Sequence, residues 1–180
     1  YKDRISDIVG GLSAQTFKSN HFGHLNYIAN NELSAKLLHN GTYTYYDSDA
    51  SKGDLNVFIK ATEHITPWFD AFADLQYRYV EYITNGKNDK FYRNADGTYT
   101  NQRLDINETF HFFNPKVGVN FHTGGHRAYA SFAVSNREPE RNNYTDNGSY
   151  PLPKAERLYY TELGYSYTGK NWNAGINAYY

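Results

Sequence analysis

The chain has 180 residues and a formal net charge of −1, enough for one domain and too near neutral to make an electrostatic case for nucleic acid. It has no cysteine, which excludes disulfides, thiolate metal ligands and a thiol nucleophile. It also has no methionine, so a sequence opening YKDRISD is expected to be a piece of a longer one. Aromatic residues reach 18%, with 19 Tyr among them, a bias that suits strands and interfaces. The mean hydropathy of −0.79 argues against helical membrane spans but not against a barrel, whose strands are only half apolar.

Tyr1–Asn40 is the least regular stretch. A short strand fits residues 11–17, and Leu33, Leu37 and Leu38 fit a short helix that Asn40-Gly41 closes, so the region is expected to be a loop with some structure of its own. TYTYYDSDASKG returns to β-rich composition and ends in polar turn residues.

From Gly53 the pattern is regular. Leu55, Val57, Ile59 and Ala61 alternate with Asn56, Phe58, Lys60 and Thr62, predicting a strand that turns at Ile65-Thr66-Pro67. In the next strand, 67–83, Phe69, Ala71, Ala73, Leu75, Tyr77 and Tyr79 share one face. Asp70, Asp74, Gln76 and Arg78 share the other, interrupted by Trp68, Phe72 and Val80. A long polar segment over 84–108 follows, with a tight turn at Asn94–Gly97. Strand pattern resumes over Thr109–His122, reverses at Thr123-Gly124-Gly125, and continues with Ala128, Ala130, Phe132 and Val134 opposed by Ser131 and Ser135. A second polar segment, NREPERNNYTDNGSYPLPKAE, precedes a last pair. There Tyr159, Leu163, Tyr165 and Tyr167 share a face, and Trp172, Ala174, Ile176, Ala178 and Tyr180 follow a turn at Gly169–Asn171.

The connections therefore alternate short and long. Transmembrane barrels have short periplasmic turns and long extracellular loops, so the strands opening at Pro67, near Arg127 and at Trp172 are expected to run outward. Six clear strands are too few for a closed barrel with a wide lumen. The expected fold is all-β: antiparallel up-and-down transmembrane strands forming part of a barrel.

Three stretches carry a resemblance. FFNPKVGVNF is similar to a strand opening of aromatic, Ser or Asn, Pro, Lys, any residue, Gly. YASFAVSNREP is similar to a strand and loop entry ending Phe-Arg-x-Pro, with Arg137 and Pro139 matching and Asn136 in place of the aromatic. PLPKAERLYYTELGY is similar to a Leu-Lys-Pro-Glu run followed by Glu-x-Gly, with Lys154, Glu156, Glu162 and Gly164 matching and Ala155 in place of Pro. In this order and spacing they resemble the barrel domain of TonB-dependent outer-membrane receptors, over roughly residues 53–180.

The resemblance implies that residues 1–180 are a partial barrel domain, from a 22-stranded whole, lacking the N-terminal plug. It implies a localisation in the bacterial outer membrane, contact with its lipid, and partnership with a plug and TonB through parts outside this chain. The implied role is import of a scarce nutrient, whether a ferric siderophore, haem, a cobamide or an oligosaccharide, and not an enzymatic reaction. A soluble, tyrosine-rich β-sandwich that binds carbohydrate is the alternative, using the same alternation for a two-layer core.

Little else in the chain points to chemistry. His21 and His24 fall on opposite faces of a strand, His122 and His126 flank a turn, and DSDASKGD departs from the calcium-loop pattern at positions six and twelve, so no metal and no cofactor is expected. Asp70 and Asp74 are about 13 Å apart along one strand, too far to act as an acid and base pair, and with Gln76 are read as lumen-facing. Sequons at Asn40, Asn107, Asn143 and Asn147 are read as chance matches. The segment with most promise is NREPERNNYTD, where charges of both signs, amides and an aromatic meet at a loop mouth. The candidate ligand-binding residues are Arg137, Glu138, Arg141 and Tyr144, with Arg78 on the adjoining wall.

Overall fold

The structure, a computed structural model, describes residues 5–148 and 151–180. Tyr1–Arg4 and Ser149, the third residue of the Asn147 sequon, lie outside them. The described strands form one antiparallel up-and-down sheet in chain order: β1 Ser6–Leu25, β2 Tyr43–Thr66, β3 Phe69–Arg93, β4 Tyr99–Thr123, β5 His126–Arg137, β6 Glu156–Thr168 and β7 Asn173–Tyr179. Two short helices interrupt the long connections, α1 at Asn31–Leu37 and α2 at Arg141–Thr145. No helix among the described residues is long and apolar enough to cross a membrane.

Seven strands stand where six were expected, because the opening region is itself a strand. β1 pairs with β2 from Ser6↔Glu63 to Leu25↔Tyr43, through the residues expected to form a loop. Its alternation is weak because small and polar residues occupy both faces over Gly10–Asn20, so partner pairing, not amphipathic pattern, makes it a strand. The polar stretch Asp47–Gly53 is likewise no turn but the middle of β2, paired with β1 on one side and β3 on the other. The 84–108 segment is also mostly strand. β3 runs on to Arg93 and β4 starts at Tyr99, leaving a tight turn at Asn94–Thr98 in which Asp96 accepts from the backbone and hydroxyl of Thr98.

The connections sort to two ends. Residues 67–68, 124–125 and 169–172 link strands at the turn end, where Gly124 and Gly125 both have positive φ (54° and 85°) and form the two-residue hairpin loop that L side chains resist. The longer connections lie at the loop end. α1 begins where the Asn30 side chain accepts from the Leu33 amide and is followed by Asn40 and Gly41, both at positive φ.

The register gives the sheet two unlike faces. One carries Leu55, Val57, Leu75, Val117, Val119, Phe132, Leu163 and Ile176, all substantially exposed, and no second sheet packs on it among the described residues. The described residues thus form a single sheet and not a two-layer sandwich. The other face carries His64, Lys60, Asp70, Asp74, Gln76, Arg78, Asn114 and Lys116. Its aromatic interruptions have a packing reason. Phe72 lies between Lys60 and Lys116, at 5.7 and 6.0 Å, and over Gly118, where a Cβ would come within 2.6 Å of its ring. Phe58 covers Gly11 and Tyr129 covers Gly164 in the same way.

Candidate functional site

At the loop end, the segment after β5 turns back across the polar face instead of standing off into solvent. Asn136 marks the departure. The β4–β5 ladder ends at Lys116↔Ala133, and beyond it the Asn136 side-chain amide donates to the carbonyl of Phe113 (3.0 Å) and its backbone amide donates to Asn114 Oδ1 (2.9 Å). α2 then lies over the polar-face side chains of β2–β4, and Tyr144 packs against Leu104, Ile106 and Tyr82 in the one buried apolar cluster among the described residues. Burial holds the Tyr144 phenol well above its ordinary range, at about 12, with Glu108 nearby adding to the effect.

Below this cluster sits an ionic network. Glu138, with 10% of its side chain exposed, accepts from Lys52 Nζ at 2.5 Å and from both terminal nitrogens of Arg78 at 2.8 and 3.0 Å. Arg78 also donates from Nε and Nη2 to Asp54 Oδ2, at 3.0 and 2.5 Å. Burial opposes ionisation of Glu138. The Lys52 hydrogen bond, a backbone hydrogen bond and Arg78 together outweigh it and hold the carboxyl down at about 2. Further along, Arg141 donates to Ser48 Oγ (2.9 Å) and Thr84 Oγ1 (3.1 Å), and Lys90 pairs with Asp146.

The sequence candidates thus divide. Arg78 and Glu138 are in direct contact, and Arg141 and Tyr144 both belong to α2, Arg141 bonded to Ser48 of β2 and Thr84 of β3 and Tyr144 packed on Leu104 and Ile106 of β4. Arg137 points elsewhere, to Glu156 at 2.8 Å and Glu140 at 3.7 Å, and is mostly exposed. Asp70, Asp74 and Gln76 lie on the same face nearer the turn end. Asp70 is bonded to His64 at 2.7 Å, Gln76 accepts from Asn114 at 2.8 Å, and Asp74 pairs in register with Lys60 and Lys116. His21 and His24 bond Ser19 and Thr44 separately, and His126 bonds Tyr165 on the face away from His122. No cluster of three metal-type ligands occurs among the described residues.

Lys52, Asp54, Ser48 and Thr84 were missed by sequence reasoning. A usable signal existed: Ser48, Lys52 and Asp54 share the parity of Asn56 and Lys60, so extending β2 upward would have placed them on the polar face.

Between β1, β2 and the returning segment is a cleft of about 430 Å³, lined by Phe17, His21, Lys52, Tyr82, Glu138 and Arg141 among others. It has an exposed aromatic on one wall and charged groups on the other, a combination able to hold a small ligand by ring contact and charge-assisted hydrogen bonds.

No protein-family model matches the chain, and none of the curated proteins matches it by sequence. Its fold is similar to that of a solved structure, the ferric-catecholate import receptor Fiu from K12 E. coli in its closed form. The TM-score is 0.60 at 14% identity, over 96% of this chain and 28% of the receptor. The chain thus spans under a third of the length of that receptor, and the likeness is one of fold.

Proposed function

We propose that this chain is part of the barrel of a TonB-dependent outer-membrane importer, a carrier and not an enzyme, which takes up a scarce nutrient through a plugged lumen. The observation that carries the reading is the exposed apolar face and its limits. At the turn end it is bounded by Trp68, Phe69, Phe121, Tyr165, Tyr167 and Trp172. Toward the loop end it is bounded by Tyr77, Tyr79, His111, Phe113 and Tyr159. Phe69 to Tyr79 is about 33 Å of strand and, tilted by ~40°, about 25 Å of height, the thickness of the apolar band between the aromatic girdles of an outer-membrane barrel. In water such a face would be an aggregation surface; in lipid it is the favoured one.

Two further observations support the reading. β3 continues fourteen residues past Tyr79, about 46 Å of strand, and so would carry the 430 Å³ cleft above the membrane on the outer side. The likeness in fold to a ferric-catecholate import receptor agrees with a barrel of this kind. In this reading the polar face lines the lumen against a plug, TonB acts through parts outside the chain, and the cleft takes the ligand at the mouth. Ferric chelates, haem, cobamides and oligosaccharides are the candidate cargoes.

The test is fractionation and uptake in cells that make the protein. It should sediment with the outer membrane and need detergent for extraction, and deleting its gene should abolish uptake of one labelled member of that cargo panel, uptake that a protonophore also stops. A protein recovered soluble and monomeric without detergent would overturn the proposal.

A further inference from the structure

The cations that line the cleft, Lys52, Arg137 and Arg141, and Arg78 beside it are not equally neutralised. Lys52 is held by Glu138, Arg78 by Glu138 and Asp54, and Arg137 by Glu156. Arg141 has no carboxylate within 4 Å among the described residues; its guanidinium is held by two hydroxyls, those of Ser48 and Thr84, which are 2% and 0% exposed. The Thr84 hydroxyl gives its own proton to the carbonyl of Asp49 at 2.9 Å, so its oxygen is turned to Arg141 as an acceptor. This arrangement orients the guanidinium without cancelling its charge, and it uses only two of five N–H donors.

We infer that Arg141 is the receptor for a compact oxyanion, a carboxylate or phosphate group on a ligand whose remainder is apolar or ring-like; the inference rests on the cleft being the ligand site proposed above. A fixed planar fork with spare donors matches a two-oxygen anion, and a partly buried uncompensated charge gains most from one. The ring portion has its own wall, since Phe17 is 63% exposed and Tyr82 and His21 line the same space. Lys52 and Arg78 do not compete for the anion, because Glu138 already occupies them. The bland role for Arg141 is to tether α2 to β2 and β3, and that role gives no reason to discriminate among ligands by charge.

The experiment uses the intact protein in detergent micelles and two probes of equal shape, benzoate and benzamide, read by ligand-observed saturation-transfer NMR, with inorganic phosphate as competitor. Wild type should prefer benzoate by about tenfold or more, a difference of one well-placed ionic contact. Arg141→Gln should erase the preference, while Arg141→Lys should keep part of it. Amide protection of 138–148 in each variant reports separately on whether α2 stays docked. Displacement of benzoate by phosphate supports a general oxyanion site, and failure of phosphate to displace it narrows the ligand to carboxylates. Equal binding of the two probes, or a preference unchanged in a docked Arg141→Gln, would overturn the oxyanion assignment and leave the cleft standing as a ligand site. Binding of neither probe would overturn both.

Discussion

Glutamine in place of Glu138 keeps the side chain's shape and removes its charge, which tests what holds the returning segment to the sheet. The native carboxyl is depressed from 4.5 to about 2, which at 1.36 kcal/mol per unit is roughly 3 kcal/mol of preference for the ionised, docked state. Water screens part of this, since the side chains of Lys52 and Arg78 are 35% and 23% exposed, and Arg78 keeps Asp54 after the change. About 2 kcal/mol remains, a factor of about 30 in the opening equilibrium. Hydrogen exchange followed by mass spectrometry on the protein in micelles reads this directly. The amides of Asn143 and Asp146, bonded to the carbonyls of Glu140 and Asn142, should exchange about 30-fold faster. Because the folded carboxyl lies below its unfolded value, the docking energy is complete above about pH 4.5 and declines as pH falls from there toward 2. Wild type should therefore lose protection of 138–148 in that window, and Glu138→Gln should keep only the smaller step of Asp146, whose carboxyl the Lys90 hydrogen bond holds below its ordinary range. A change under threefold, or an equal change on Glu156→Gln at the exposed pair with Arg137, would refute the reasoning.

The other predictions concern packing and the apolar face. Tyr144→Ala should loosen the same segment by about 3 kcal/mol, because it empties the cluster with Leu104 and Ile106. Tyr144→Phe should leave docking unchanged or tighter by exchange, since the Tyr144 hydroxyl is buried with no hydrogen-bond partner among the described residues; a loss above 1 kcal/mol would argue against this packing. Leu75→Arg, midway between the aromatic belts, should cost about 2–4 kcal/mol in urea titrations of protein folded into lipid vesicles, whereas the same change in a soluble sheet at this 40% exposed position would be nearly neutral. Gly118→Val should cost about 1–3 kcal/mol in the same titration, because a Cβ there meets both the Phe72 ring and the Ala130 carbonyl oxygen.

Legibility in the sequence followed the apolar face. Wherever one face of a strand is apolar, as from Leu55 to Ala61 or Phe69 to Tyr79, alternation predicted the strand and its facing, and the structure has both. Where both faces are polar the pattern lapses but the strand does not. Asp47–Gly53, Thr84–Arg93 and Tyr99–Glu108 all lie in strands that run beyond the apolar face, held by cross-strand backbone bonds that require no particular side chain. For the same reason only residues 11–17 of β1 were legible as strand. The composition of 137–146, rich in charges and amides, is that of a solvated loop and does not say that α2 folds back onto the sheet.

The long connection read over 84–108 is mostly strand, but from residue pattern alone follow the all-β class, the short connections near Gly124 and Gly169, the division of β3 into an apolar and a charged face, and the turn at Asn94–Gly97. Each depends on near neighbours in the chain, through side-chain parity or the backbone freedom of particular turn residues. Only the tertiary structure decided that Lys52, Asp54, Arg78 and Glu138 meet, and that Arg141 is left with hydroxyls instead of a carboxylate. Those contacts join residues 24 to 93 positions apart. They are fixed by strand register and by the docking of one tyrosine, neither of which leaves a periodic trace in the sequence.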